Sequence, residues 1–223
     1  MGLEQTVSNL IYYPLKMCNF TDANCLALAT HHQSGLMKLL LLDNYDSFTY
    51  NLVHLIEKVT DFPVDVHRND KITLDAVEAY DRIILSPGPG LPKDAGIMPE
   101  LIQRFHTTKS IFGVCLGMQA IGEFYGAALK NLDTVIHGQA MPVLTQQKGM
   151  FAHCPHEFLV GRYHSWVVDT TNLPQSLEVT AVDASGQIMA LQHTVHKVSG
   201  VQFHPESILS HYGEQIFKNW LAK

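Results

Sequence analysis

Ser110-Ile111-Phe112-Gly113-Val114-Cys115-Leu116-Gly117-Met118-Gln119-Ala120-Ile121-Gly122-Glu123-Phe124-Tyr125-Gly126 joins three things without a break: a short apolar run, a cysteine between two glycines, and a longer apolar segment stopped by glycine. The first part predicts a buried strand over 110–114, the last a helix over 116–125 closed at Gly126. Cys115 falls at their junction. Gly113 and Gly117 suit a turn so sharp that side chains there would collide with neighbouring backbone. A cysteine at such a strand–turn–helix elbow meets the positive end of the helix, which favours the thiolate. The competing reading is a buried apolar cysteine ahead of an ordinary helix. Strand, both glycines and helix together favour the reactive one.

Upstream, the same alternation repeats. Leu39-Leu40-Leu41-Leu42 is an unbroken apolar run of the kind buried on both faces of a parallel sheet. Asp46 or Ser47 can cap a helix whose apolar positions are Phe48, Leu52, Leu55, Ile56 and Val59. Further strands are predicted at 64–67 and 82–85, with helices at 74–79 and 98–105. Beyond about residue 127 the pattern changes to short strands, at 134–136, 140–144, 177–181, 188–192 and 198–203, before a last amphipathic helix over 213–222. The expected architecture is α/β: a mostly parallel central sheet with helices on both faces, plus a smaller, partly antiparallel sheet.

Composition narrows the classes. With 46% hydrophobic and 16% charged residues in 223, the chain can build a core and is not a disordered polymer. A formal charge of −6 argues against a nucleic-acid partner. No apolar run reaches the roughly 20 residues of a membrane span, and the N-terminus lacks a secretory pattern. The cytoplasm is the expected compartment. Residues 1–36 show neither period and read as a poorly ordered N-terminal extension, with Met37 a candidate start of the domain over 37–223. No metal site is expected. Cys18, Cys25, His31 and His32 lack the tight cysteine pairs of structural zinc, and His153, Cys154 and His156, or His193 and His196, lack companion ligands at useful spacing.

A cysteine nucleophile needs a base. Among 13 histidines, His204 in Gly200-Val201-Gln202-Phe203-His204-Pro205-Glu206-Ser207 is singled out by its neighbour. Extended residues i and i+2 project to the same side, and Pro205 keeps the stretch extended. Glu206 can then accept the Nδ1 proton of His204 and leave Nε2 toward the thiol. A third element, Ser86-Pro87-Gly88-Pro89-Gly90, follows a predicted strand at the sheet edge where ligands bind. Its Gly88 amide, with that of Leu116, can face a developing oxyanion. A plain Pro-Gly turn is the bland alternative.

Taken together with Leu42-Asp43-Asn44-Tyr45-Asp46-Ser47-Phe48-Thr49-Tyr50-Asn51-Leu52 and Tyr163-His164-Ser165, these blocks give residues 37–223 a resemblance to class I (triad-type) glutamine amidotransferases. The similarity is to the glutaminase component of anthranilate synthase or aminodeoxychorismate synthase. It implies a flavodoxin-like three-layer fold and a Cys115–His204–Glu206 triad that releases ammonia from L-glutamine. It also implies glutamine recognition by Gly88, Pro89 and Gly90, by Leu116 and Gln119, and by backbone at Ser165 and Trp166. No cofactor is implied. The implied partner is a chorismate-binding synthase subunit, with Asp43–Thr49 and Gly138–Met141 expected near it. Two departures stand out: Trp166 replaces a smaller aliphatic residue, and Gln139 a lysine.

Ala95-Gly96-Ile97-Met98-Pro99-Glu100-Leu101 resembles the anthranilate-type subunits, which favours tryptophan over folate synthesis; a subunit shared by both is the remaining choice within the family. A cysteine hydrolase or redox-responsive protein of similar architecture is the alternative from another class. It leaves His204-Pro205-Glu206 and the proline–glycine loop without a purpose.

Overall fold

The computed structural model describes residues 37–222. The 1–36 extension, and with it Cys18, Cys25, His31 and His32, lies outside the described residues. Nine strands form the main sheet: β1 is Leu39–Asp43, β2 Val64–Arg68, β3 Arg82–Leu85, β4 Ser110–Val114, β6 Gln139–Thr145, β7 Glu157–Arg162, β9 Leu177–Val182, β10 Ile188–His193 and β11 Val198–Val201. They lie in the order β2-β1-β3-β4-β11-β10-β9-β6-β7. The strands from β2 through β11 pair in parallel, and those from β11 through β7 pair antiparallel. A bridge between Gly161 and His204 brings the far end of β7 back beside the segment that leaves β11. The antiparallel half therefore curls around the C-terminal end of β11. A separate two-stranded sheet joins Leu129–Asn131 (β5) to Trp166–Val168 (β8).

The leucine run explains the layering. Successive side chains of a strand alternate between faces. Leu39 and Leu41 pack with Leu52, Val53 and Ile56 of α1 (Thr49–Glu57) and with Ile216, Phe217 and Trp220 of α5 (Gly213–Leu221). Leu40 and Leu42 enter the opposite core with Val77 of α2 (Leu74–Val77), with Met98, Leu101, Ile102 and Phe105 of α3 (Met98–Phe105), and with Leu116, Met118 and Ile121 of α4 (Leu116–Phe124). All four leucines are fully buried. Helices thus cover both faces, as the apolar run requires.

Some local expectations are corrected. Residues 134–136 are not a strand: Leu132 N donates to Ser165 O at 2.7 Å and Ile136 N to His164 O at 3.0 Å, which pins this segment across residues 164–165, and the strand forms earlier, as β5. The helix after β1 is capped by Phe48 with no side-chain cap bond, while the Asp46 carboxylate accepts from Phe48 N at 2.8 Å in a turn just before it. Among the described residues no helix is long and apolar enough to cross a membrane.

Candidate active site

Cys115 sits between β4 and α4 with φ 51° and ψ −101°, a conformation that L-residues avoid unless the surroundings impose it. Its own amide donates to Val201 O at 2.8 Å, tying the turn to β11. A Cβ on Gly113 would lie 2.4 Å from Gly117 C, and one on Gly117 would lie 2.5 Å from Leu85 O. The glycines let two strands and a helix start converge on the cysteine.

The proline–glycine loop after β3 is held from β1. Asn44 N donates to Ser86 Oγ at 2.8 Å, and Asn44 Nδ2 to Ser86 O at 2.9 Å. This gives the asparagine of Leu42-Asp43-Asn44 a structural purpose that the sequence did not disclose. Gly88 presses against it, since a Cβ there would lie 2.6 Å from Asn44 O. Neither the Gly88 nor the Leu116 amide has a backbone acceptor among the described residues.

His204 leaves the end of β11 with its amide on Gly161 O at 3.0 Å and its carbonyl accepting from the Ser210 hydroxyl. Nδ1 lies 2.7 Å from Glu206 Oε1, and the two side chains are 4% and 0% exposed. Nε2 is buried without a hydrogen-bond partner in this structure. Tyr163 packs edge-on to the imidazole at 4.9 Å between centroids, and Phe48 does so at 6.0 Å. Desolvation works against charge on the ring, but the Cys115 sulfur and the Glu206 carboxylate outweigh it and push the pKa of His204 up to about 10.

Two clefts meet at Cys115. One, of about 190 Å³, is lined by Gly88, Pro89, Gly90, Cys115, Leu116, Gln119, Tyr163, His164, Ser165 and Trp166. The other, of about 480 Å³, is lined by Tyr45, Asp46, Ser47, Phe48, Pro87, Gly88, Pro89, Cys115, His137, Tyr163 and His204. Every site residue expected from sequence is therefore in one place: the pocket residues in the smaller cleft, His204 in the larger, Glu206 behind His204. Trp166 lines the smaller cleft, and its carbonyl accepts from Gln119 Nε2 at 2.8 Å. The histidines set aside lie elsewhere in their bonding. His193 and His196 stack on each other at 4.5 Å, and His156 Nδ1 contacts Thr145 O at 2.7 Å. Among the described residues no cluster of metal-ligating side chains occurs.

Sequence reasoning missed a buried polar group behind the pocket. Arg162 Nη1 donates to Asp183 Oδ2 at 2.7 Å, and Arg162 Nη2 meets Gln187 Oε1 at 2.9 Å and His164 Nε2 at 3.3 Å. Burial, with Arg162 and His204 nearby, pushes the pKa of His164 down to about 3, so this ring is neutral. The only signal in the sequence was Arg162 and His164 at alternate positions, which many exposed strands also show.

Fold and geometry together describe an α/β protein with a cysteine at a strand–helix elbow, facing a histidine held by a buried glutamate. Residues 40–223 match the family Glutamine amidotransferase class-I, and the chain belongs to it. It is 43% identical over 192 residues to anthranilate synthase component 2 of Pseudomonas aeruginosa, covering 83% of this chain and 95% of that one. With aminodeoxychorismate synthase component 2 of Klebsiella aerogenes it shares 44% over 187 residues, covering 83% of this chain and 100% of the other. The match to the bifunctional protein TrpGD of Thermotoga maritima is 42% over 189 residues, covering 83% of this chain but only 32% of that longer protein. Among solved structures, a glutamine amidotransferase of Thermotoga maritima superposes with a TM-score of 0.61 at 16% identity, over 77% of this chain and 76% of that one. That likeness speaks for the fold.

Proposed function

We propose that the chain is the glutaminase component of a chorismate-using synthase, with Cys115 as nucleophile, His204 as proton carrier and Glu206 as the group that orients it. The observation that carries the reading is the buried His204–Glu206 pair beside a cysteine forced into a positive-φ elbow. Glutamine enters the smaller cleft with its side-chain amide at Cys115. The thiolate attacks the amide carbon, and charge moves to the oxygen, where the Gly88 and Leu116 amides donate. The His204 imidazolium gives its proton to the nitrogen, the C–N bond breaks, and ammonia leaves a γ-glutamyl thioester. His204, now neutral, takes a proton from water; the resulting hydroxide equivalent adds to the thioester and expels the sulfur as glutamate forms. These steps use glutamine, water and this chain's own groups, with no cofactor.

Ammonia in neutral water is mostly protonated and so a poor nucleophile. A partner that captures it at the exit makes the reaction useful, and the larger cleft, opening beside Asp46, Ser47 and Phe48, is the proposed exit. The Asp43–Thr49 and Gly138–Met141 segments flank it as the proposed docking region. Anthranilate is the proposed product, on the resemblance of Ala95–Leu101. A second reading, 4-amino-4-deoxychorismate, is supported by the Klebsiella aerogenes relative.

The test pairs Cys115→Ser with each candidate synthase and identifies the amine formed. Glutamine-dependent synthesis is lost in the variant while synthesis from added ammonium salts persists. Undiminished glutamine use by Cys115→Ser overturns the proposal.

A further inference from the structure

Gln202 is fully buried, and its backbone amide donates to Met189 O at 2.8 Å. It lies two residues before His204, where the chain bends as it leaves β11. Gln202 Nε2 donates to Cys115 Sγ at 3.4 Å, an ordinary length for sulfur. Its Oε1 accepts from Gln119 Nε2 at 3.3 Å. The same Gln119 nitrogen donates to the Trp166 carbonyl at 2.8 Å.

A carboxamide can exchange its oxygen and nitrogen by rotation, so the direction of such a chain needs a reason. The Trp166 carbonyl supplies it, because a carbonyl only accepts. Gln119 must therefore turn its NH2 inward. That NH2 requires an oxygen from Gln202, which leaves the Gln202 NH2 facing the sulfur. The opposite arrangement sets two NH2 groups against each other.

We infer that Gln202 is a positioning residue that stabilises the Cys115 thiolate, its orientation relayed from the Trp166 carbonyl through Gln119. The inference rests on Cys115 being the nucleophile. Unlike the imidazole, a carboxamide gives up no proton during the reaction. It still donates to the sulfur after His204 has given its proton to ammonia, when the thioester is attacked and the sulfur regains charge. A hydrogen bond to an ionised acceptor is stronger than one to a neutral acceptor, so the donor favours thiolate over thiol.

The experiment measures the rate of Cys115 alkylation by iodoacetamide against pH in the full chain, peptide by peptide, together with glutaminase kinetics. Gln202→Met keeps the bulk and removes the donor. The alkylation midpoint rises by about one pH unit and kcat falls about tenfold, with KM changed by less than about twofold. A merely structural loss would not move the midpoint in the folded protein. Should Gln202→Met fail to fold, Gln119→Leu tests the relay from its other end, because the freed Gln202 amide no longer has a fixed direction and the midpoint again rises. A midpoint and kcat equal to wild type in Gln202→Met, or a midpoint unmoved in Gln119→Leu where only that variant folds, overturns the inference. Turnover retained by Cys115→Ser instead sinks the nucleophile reading, whatever Gln202 does.

Discussion

His204 and Glu206 are joined by a 2.7 Å contact between Nδ1 and Oε1 with both side chains removed from water, so the orientation of the imidazole is set by a charge it cannot escape. Replacing that charge by Glu206→Gln keeps the shape but lets the amide present either atom to Nδ1. We expect the His204 pKa to fall from about 10, read by NMR titration of the imidazole. Glutaminase kcat is expected to drop on the order of 10²–10⁴-fold, the usual weight of a positioned proton carrier. An unchanged imidazole titration contradicts the assignment.

The glycines of the elbow differ from glycines that merely turn. Gly113→Ala sets a Cβ 2.4 Å from Gly117 backbone, and no flexible side chain can yield there. Gly186 is a glycine of the other kind, with φ +84° and nothing within 4 Å of its would-be Cβ. Urea unfolding should show Gly113→Ala losing about 3 kcal/mol or more and Gly186→Ala about 1–2 kcal/mol. Equal losses would mean that the elbow is not tightly packed.

His164 makes the fold acid-sensitive. Its pKa in the folded chain is about 3 against an ordinary 6.5, so below 6.5 the unfolded chain binds a proton that the folded one does not. Its contribution is fully present above pH 6.5 and is lost as pH falls toward 3, at about 1.4 kcal/mol per pH unit in the steep region. His204 runs the other way: its raised pKa makes a contribution present below 6.5 and lost as pH climbs toward about 10. Denaturation midpoints measured across pH should show a shallower acid limb in His164→Gln. An acid limb as steep as wild type contradicts the burial of a neutral ring.

The Arg162–Asp183 pair, 1% and 7% exposed, is expected to be costly to break and cheap to replace. Asp183→Asn strands a buried guanidinium and should cost about 3–5 kcal/mol in thermal or urea unfolding. The double variant Arg162→Met, Asp183→Leu should recover much of that. A small effect of Asp183→Asn would show that the pair is hydrated.

Much of this was legible in the chain because each feature had a local cause. The leucine run at 39–42 can only be a strand with cover on both faces, and helices pack there. The elbow was legible because Gly113 and Gly117 have no other use so close together. His204 and Glu206 do meet, but not across extended backbone: Pro205 and Glu206 lie in a turn that Ser207 N closes on His204 O at 3.2 Å. What failed depends on distant partners. Strand β7 was hidden because Leu159, 40% exposed, puts an apolar residue on its solvent side and blurs the alternation. Residues 134–136 have strand composition, but the Ile136 amide is claimed by His164 O instead. Gln202 was quoted only as part of a motif, since no local pattern shows that a carboxamide there faces the sulfur 87 positions away. Asn44, Arg162 and Asp183 were silent for the same reason.

All of the chemistry proposed here requires the Cys115 sulfur to attack the side-chain carbonyl of glutamine. Mass spectrometry of the chain after treatment with a glutamine analogue that carries a diazoketone in place of the amide reads that attack at the atom concerned. One adduct is expected, on the Cys115 peptide, blocked by excess glutamine and absent from Cys115→Ser. An adduct that forms on Cys154 instead, or none at all on a folded chain that still hydrolyses glutamine, would contradict it.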